Sequence, residues 1–281
     1  MRAGSPCAYF LWERKNMSIT LNPISPVAFS LFGLDVRWYA LAYVAGFIVG
    51  YWLFKRLTNS PNSVIKLTKK QLDDLLTWVV FGVILGGRFG YVLFYDFGYF
   101  IAHPLEIFAV WHGGMSFHGG LIGVIISTFL FARTQKLNPW SVLDIMAICA
   151  PIGLFFGRIA NFINREVMGR PSDAPWAVVF NGDTPIPRHP SPLYEAATEG
   201  ILLFIIMYYL YKHTRLRDRP GAIAGIMGMG YAVFRMFCEM FRAPDAQIGF
   251  LTSWGLTMGQ LLSLIMFFAG ALIFMFAIRK K

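Results

Sequence analysis

Charge is scarce in this sequence. Charged residues make up 14% of the 281 positions, against about 25% in a soluble globular domain. Cysteine is scarcer still. Cys7, Cys149 and Cys238 are far apart and form no C-x-x-C or zinc spacing, so neither a disulfide framework nor a metal site is indicated. No G-x-S-x-G elbow occurs, which argues against serine-hydrolase chemistry. No Gly-rich nucleotide loop or metal-ligand spacing appears, and no cofactor is expected.

Apolar sequence fills the space that charge leaves. Hydrophobic residues reach 56%, with a mean hydropathy of +0.54, and the apolar runs approach the ~20 residues that span a bilayer. The predicted fold class is an all-α polytopic membrane protein with seven spans. They are expected near Trp38–Phe54, Leu72–Phe94, Phe117–Ala132, Trp140–Phe156, Leu193–Tyr211, Ala222–Phe241 and Leu256–Ile278. The net charge of +10 points to lipid headgroups and topology rather than to nucleic acid. Basic residues crowd one set of loops: Lys55, Arg56, Lys66, Lys69 and Lys70, then Lys212, Arg215, Arg217 and Arg219, then Arg279, Lys280 and Lys281. Residues 95–116 hold neither Lys nor Arg. The positive-inside rule then predicts a cytoplasmic C-terminus and an external N-terminus. Residues 1–16 are expected to be a disordered or superfluous extension ahead of a start at Met17. Residues 17–281 are expected to form a single transmembrane domain.

The long polar segment 158–192, between spans four and five, is predicted to form a small external cap around the strand-like Trp176–Phe180. Paired glycines four apart (Gly46/Gly50, Gly82/Gly86, Gly153/Gly157, Gly221/Gly225) read as helix-packing surfaces.

Polar groups inside or at the ends of apolar spans carry the functional signal. Tyr231, Arg235, Glu239 and Arg242 recur at spacings of four, four and three, which puts them on one helical face. A charge in a bilayer normally faces the protein interior or a watery cavity. The face therefore reads either as a polar cavity wall or as a structural Arg235–Glu239 pair. His118 stands among glycines that allow close approach, either as a site residue or as a packed histidine. Arg158 and Asn161, three apart, suit an oxyanion or phosphate, or else interfacial snorkelling. His189 and Ser191, in a Pro-bounded turn, read as structural. Tyr39 beside Trp38 reads as an aromatic-belt anchor. Several arginines at one membrane boundary point to an anionic lipid headgroup.

The strings His112-Gly-Gly-Met-Ser-Phe-His118-Gly-Gly, Gly157-Arg-Ile-Ala-Asn161-Phe-Ile-Asn164, Arg188-His-Pro-Ser191 and Phe241-Arg242-Ala-Pro-Asp245 closely resemble the prolipoprotein diacylglyceryl transferase family. The resemblance runs from about Arg37 to about Gly259. It implies a seven-helix enzyme of the bacterial cytoplasmic (inner) membrane. Such an enzyme moves a diacylglyceryl group from phosphatidylglycerol to the lipobox cysteine of a preprolipoprotein signal peptide, forming a thioether and releasing glycerol phosphate. It also implies catalytic roles for His118, Arg158, Arg235 and Tyr231, and substrate-binding roles for Tyr39, Asn161, Glu166, Glu239 and Arg242. Arg37, Ala40, His112, Arg165 and Pro192 depart from the family pattern outside that set. The implied chemistry suits the inventory. A thiolate is the nucleophile, a base or activator is needed at sulfur, and cations are needed on the leaving phosphate. His118 or Tyr231 can serve the first need, and Arg158 and Arg235 the second. The rival reading is an anion or lipid transporter with an arginine-lined site, for which inverted repeats would be the signature; none is seen.

Overall fold

A computed structural model of the chain describes residues 18–110, 113–183, 185–244, 249, 251–252 and 255–279. The proposed extension 1–16, His112 and Asp245 lie outside the described residues. Seven helices are long and apolar enough to cross a membrane, as the hydropathy predicted. They are α1 (Trp38–Thr58), α2 (Lys69–Phe94), α4 (Phe117–Thr134), α5 (Pro139–Ile163), a composite Ser191–His213, α8 (Ala222–Glu239) and α9 (Met258–Arg279). The composite comprises α6 (Ser191–Glu195), a π-helical stretch Ala196–Leu202 and α7 (Leu203–His213). A short α3 (Phe97–Ala102) and a 3₁₀ turn, Pro104–Phe108, link α2 to the loop before α4.

Local chemistry sets the helix boundaries. Thr68 and Gln71 form a reciprocal capping box at the start of α2, satisfying two of the donors that a helix start leaves unpaired. Asn138 caps α5, with Pro139 at its first position, where a missing N–H costs nothing. The start of α8 is capped from another helix. Buried Asp144 of α5 accepts the N–H groups of Gly221 at 2.8 Å and Ala224 at 2.7 Å. Gly221 has φ +94°, a conformation that a side chain disfavours.

The bundle is apolar on its outside as well as its inside. On α9, Leu264, Ile265, Phe268, Leu272 and Phe276 all face outward, the arrangement expected of a surface that meets lipid rather than water. α2 runs along α4, α8 along α9 and α1 along α5, while α5 also touches α4, α8 and the π stretch. α5 is thus the central post. Small residues set the closest approaches. A Cβ added to Gly90 would lie 2.7 Å from the Gly119 Cα, and one added to Gly225 would lie 2.7 Å from the Gly270 carbonyl oxygen. The Gly82/Gly86 pair meets Gly119, Gly123 and Ser127 of α4, as a packing surface should. Gly50, Gly153 and Gly157, by contrast, have nothing within 4 Å of an added Cβ, although one added to Gly46 would lie 3.4 Å from the Gly153 Cα; the packing reading finds no support at Gly50 and Gly157.

Between α5 and the composite helix, part of the strand-like Trp176–Phe180 run forms a short strand. This strand, β4 (Val178–Phe180), pairs in parallel with β1 (Ile19–Leu21), a partner that the sequence did not reveal. A second two-stranded sheet, β2 (Val27–Leu31) with β3 (Leu34–Arg37), leads straight into α1.

Candidate active site

Three helices bring their polar groups together at one point in the bundle. Arg158 comes from α5, Arg235 and Glu239 from α8, and Glu195 and Glu199 from the composite helix. Arg158 Nε lies 2.8 Å from Glu195 Oε2, and its Nη2 lies 3.3 Å from Glu199 Oε2. Arg235 Nη1 donates to Glu195 Oε1 at 2.5 Å, and its Nη2 lies 2.7 Å from Glu239 Oε2. Glu195 thus bridges the two guanidiniums, one on each oxygen. Glu239 also accepts the Thr257 hydroxyl at 2.9 Å. The carboxylates are sealed from solvent, while the Arg158 side chain keeps 17% of its surface exposed. Tyr231, one turn before Arg235 and 8% exposed, lies within the electrostatic reach of Glu199, Arg158 and Arg235.

The backbone explains why Glu195 and Glu199 both reach this point. They flank the change from α6 into the π-helical stretch, a distortion of helical pitch that is frequent at functional sites. Gly200 inside that stretch lets it press on α5: an added Cβ would sit 2.8 Å from the Phe155 Cβ. The Glu195–Glu199 spacing of four in an apolar span is the same kind of signal that singled out Arg235 and Glu239. Neither glutamate was among the predicted site residues.

A second cluster continues from the first along α5. Asn161, 6% exposed, donates from Nδ2 to the Tyr39 hydroxyl at 2.9 Å and to Glu166 Oε2 at 3.1 Å. Asn161 lies within α5, which runs to Ile163, rather than beyond its end. Tyr39 is therefore tied into a polar network, and the simple belt-anchor reading is incomplete.

Arg242 lies three residues past the end of α8 at Glu239, with its N–H on the Cys238 carbonyl at 3.2 Å. It forms an antiparallel bridge with Gly169, and its carbonyl accepts Arg170 Nε at 2.9 Å. A Cβ on Gly169 would lie 2.5 Å from the His189 carbonyl oxygen and 2.6 Å from that of Phe241, so this junction needs glycine. His189 and Ser191 serve the same junction. Ser191 Oγ donates to the Val167 carbonyl at 2.8 Å, and His189 Nδ1 lies 3.1 Å from the Tyr194 hydroxyl. Partial burial draws the His189 ring below its ordinary pKa, favouring the neutral form that such a structural contact uses.

His118 is the second residue of α4, exposed on the bundle surface and within the electrostatic reach of Arg235. Ser116 caps this helix by accepting the Gly119 N–H at 3.2 Å. Its own N–H donates to the Gly87 carbonyl of α2 at 2.8 Å. Next to Gly87 stands Arg88, which the sequence reading passed over. Arg88 is 5% exposed, and its donors go to backbone carbonyls: Ile107 at 2.8 Å, Gly113 at 2.6 Å, Gly114 at 3.2 Å, Glu106 at 2.5 Å and Ala109 at 3.3 Å. One guanidinium thus gathers the loop that delivers His118.

Among the described residues, no group of three or more His, Cys, Asp or Glu is placed to hold a metal ion. The three clustered glutamates are instead engaged by arginine.

Comparison with known proteins gives a consistent result. Residues 26–276 match the family described as prolipoprotein diacylglyceryl transferase. The chain is similar to the phosphatidylglycerol–prolipoprotein diacylglyceryl transferase of Rhodospirillum rubrum, with 51% identity over 259 residues, covering 92% of this chain and 94% of that protein. The enzyme of the same name from Azospirillum brasilense is 51% identical over 256 residues, covering 90% and 94% of the two chains. That from Rhizobium meliloti is 50% identical over 252 residues, covering 88% and 90%.

Proposed function

This chain belongs to the prolipoprotein diacylglyceryl transferase family, and from that premise we propose how its polar clusters carry out the transfer. The substrates are phosphatidylglycerol and a preprolipoprotein, and the acceptor is the lipobox cysteine thiol. A carbon–sulfur bond forms at the terminal glyceryl carbon as the bond from that carbon to the phosphate oxygen breaks. The thiol proton is lost, and glycerol phosphate departs. The products are a thioether-linked diacylglyceryl group and a phosphate monoester.

Breaking that bond raises the charge on phosphate. Rate therefore depends on cations fixed in advance where the charge develops. Arg158 and Arg235 have this role. The observation that carries it is their convergence, from α5 and α8, on the two oxygens of Glu195. That bridge holds both forks in register before substrate arrives. Glu239 fixes the far side of Arg235. His118 takes or orients the thiol proton; Tyr231 is the alternative group for that role. Asn161, tied to Tyr39 and Glu166, donates to the headgroup, and Arg242 adds positive charge at the junction with the cap.

The setting is the bacterial inner membrane, with the N-terminus and the 158–192 cap outside and the C-terminus in the cytoplasm. Residues 17–281 act as one catalytic unit. The test is direct. Purified protein is incubated with phosphatidylglycerol and a lipobox peptide, and the peptide should gain the mass of one diacylglyceryl group. No gain with phosphatidylglycerol present would overturn the reading. An alkaline phosphatase fused after Lys281 should be inactive, and an active fusion would invert the topology.

A further inference from the structure

We propose that Glu199 holds a proton when the arginine cluster receives its anionic lipid, and that losing this proton turns the site against phosphate. The inference rests on the transferase reading above and concerns how the same site controls its own charge.

Two guanidiniums, Arg158 and Arg235, meet three carboxyl groups, Glu195, Glu199 and Glu239. Fully ionised, the cluster carries a formal charge of −1 inside a membrane bundle. An uncompensated buried charge is costly there. A negative cluster would also repel the phosphodiester it is built to receive. One proton on one carboxyl removes both problems.

Geometry says which carboxyl. Both oxygens of Glu195 are matched to guanidinium nitrogens, at 2.5 and 2.8 Å. Glu239 has Arg235 on one oxygen at 2.7 Å and the Thr257 hydroxyl on the other at 2.9 Å. Glu199 is the weakly held member. Its Oε2 is 3.3 Å from Arg158 and its Oε1 is 3.9 Å from Arg235 Nη1, the longest contacts in the cluster, so no donor among the described residues stands within bonding distance of Oε1. Its side chain is fully buried. A carboxylate oxygen that is buried without a donor favours the protonated form.

The groups facing Glu199 are Arg158 from α5, Tyr231, Arg235 and Cys238 from α8, and Glu195 on its own helix. Of these, only carboxyl groups change charge without forcing a thiol, a phenol or a guanidinium from its ordinary form. Glu199 is therefore a positioning residue. It tunes the charge that the two arginines present, while they make the contact with phosphate.

The sign follows. Raising the pH takes the proton from Glu199, gives the cluster its extra negative charge and weakens binding of the anionic lipid. The experiment measures the affinity of the full chain for phosphatidylglycerol and for zwitterionic phosphatidylethanolamine in nanodiscs, between pH 6 and 9.5. Binding is read rather than turnover, because the acceptor thiol also ionises in this range. For the parent protein the phosphatidylglycerol Kd should climb at high pH, approaching about tenfold per pH unit above the titration of one proton. The phosphatidylethanolamine Kd should not follow it. In Glu199→Gln, which is neutral at every pH, the slope should vanish. A parent Kd that is flat across the range, or a Glu199→Gln variant that keeps the parent slope, overturns the inference.

Should Glu199→Gln fail to fold, infrared spectra of an Asp144→Asn variant decide, since Asp144 is a buried carboxyl outside the cluster. The carbonyl stretch of a buried protonated carboxylic acid should be present at pH 7 in an Asp144→Asn background and should disappear as the pH rises. Its absence at pH 7 overturns the inference. A parent that binds phosphatidylglycerol and transfers its diacylglyceryl group without any pH slope sinks only this inference. A parent that transfers nothing to the peptide sinks the reading beneath it.

Discussion

Arg88 and the Arg158–Arg235 pair are all arginines in apolar helices, yet they are held in opposite ways. The donors of Arg88 go to backbone carbonyls of residues 106–114. Arg158 and Arg235 meet carboxylates. A carbonyl dipole satisfies a guanidinium without cancelling its charge, and five of them occupy its whole fork. That arrangement suits a fixed clamp. Carboxylates cancel the charge and hold it in an orientation from which part of the fork can be turned to another anion. A buried arginine among carbonyls therefore organises a loop, and buried arginines among carboxylates are poised to exchange an internal anion for an external one.

The two regions meet at His118, so it provides the strongest break. The Arg88 clamp delivers the helix start on which His118 stands, and Arg235 lies within its electrostatic reach. Changing His118→Gln should lower turnover by roughly 10²–10⁴ if it takes or steers a proton. Melting temperature and lipid binding should stay near the parent's. A packed structural histidine would show the reverse, losing stability first.

The clamp should fail differently. Arg88→Met leaves several carbonyls without their charged donor, and bonds of this type are worth about 1.5–3 kcal/mol each. A loss near 3 kcal/mol, two such bonds at the low end of the range, should appear as a clear drop in melting temperature, with slower turnover as a consequence. Intact stability with a collapsed rate would move Arg88 from the loop into the site and erase the difference between the two kinds of buried arginine.

Arg235→Lys sharpens the other half. Lysine keeps the charge but cannot span Glu195 and Glu239 with one planar group. Turnover should fall by at least about tenfold, or roughly 1.4 kcal/mol in the barrier. Full activity with unchanged lipid affinity would show that only charge matters at this position.

How far these regions could be read in advance depends on what carries the signal. The seven spans were legible because twenty apolar residues in a row have few alternatives. Helix ends were less so: α5 runs through Ile163 and α8 stops at Glu239, which shifted Asn161 into a helix and Arg242 off one. Arg235 and Glu239 stood out because they pair at four residues on a regular helix. Glu195 and Glu199 repeat that spacing, but they sit beside a run of recognisable motif residues and straddle the start of a π-helical stretch. No local pattern announces that distortion. Arg88 was visible as a lone charge in a glycine-rich span, yet its partners are carbonyls 18 to 26 residues away. Sequence records side chains, so a site made of backbone oxygens leaves no trace in composition. The pairing of β1 with β4 was hidden for a related reason, since three-residue strands have too little pattern to identify a distant partner.

The smallest expected effect tests whether the clamp acts on His118 through the helix start itself. Ser116 joins the two regions, because its N–H bonds Gly87 next to Arg88 and its hydroxyl caps the helix that carries His118. Ser116→Ala keeps the first bond and removes the second. Loss of such a cap costs about 1 kcal/mol, so the melting temperature should fall slightly. If the cap also fixes the orientation of His118, turnover should drop by no more than about fivefold, the factor that the same free energy supplies. Ser116→Asn offers another side-chain oxygen to the Gly119 N–H and should restore both values. A rate loss as large as that of His118→Gln, with no rescue by asparagine, would mean that the hydroxyl meets the substrate itself. The boundary between loop and site would then have to be redrawn to include residue 116.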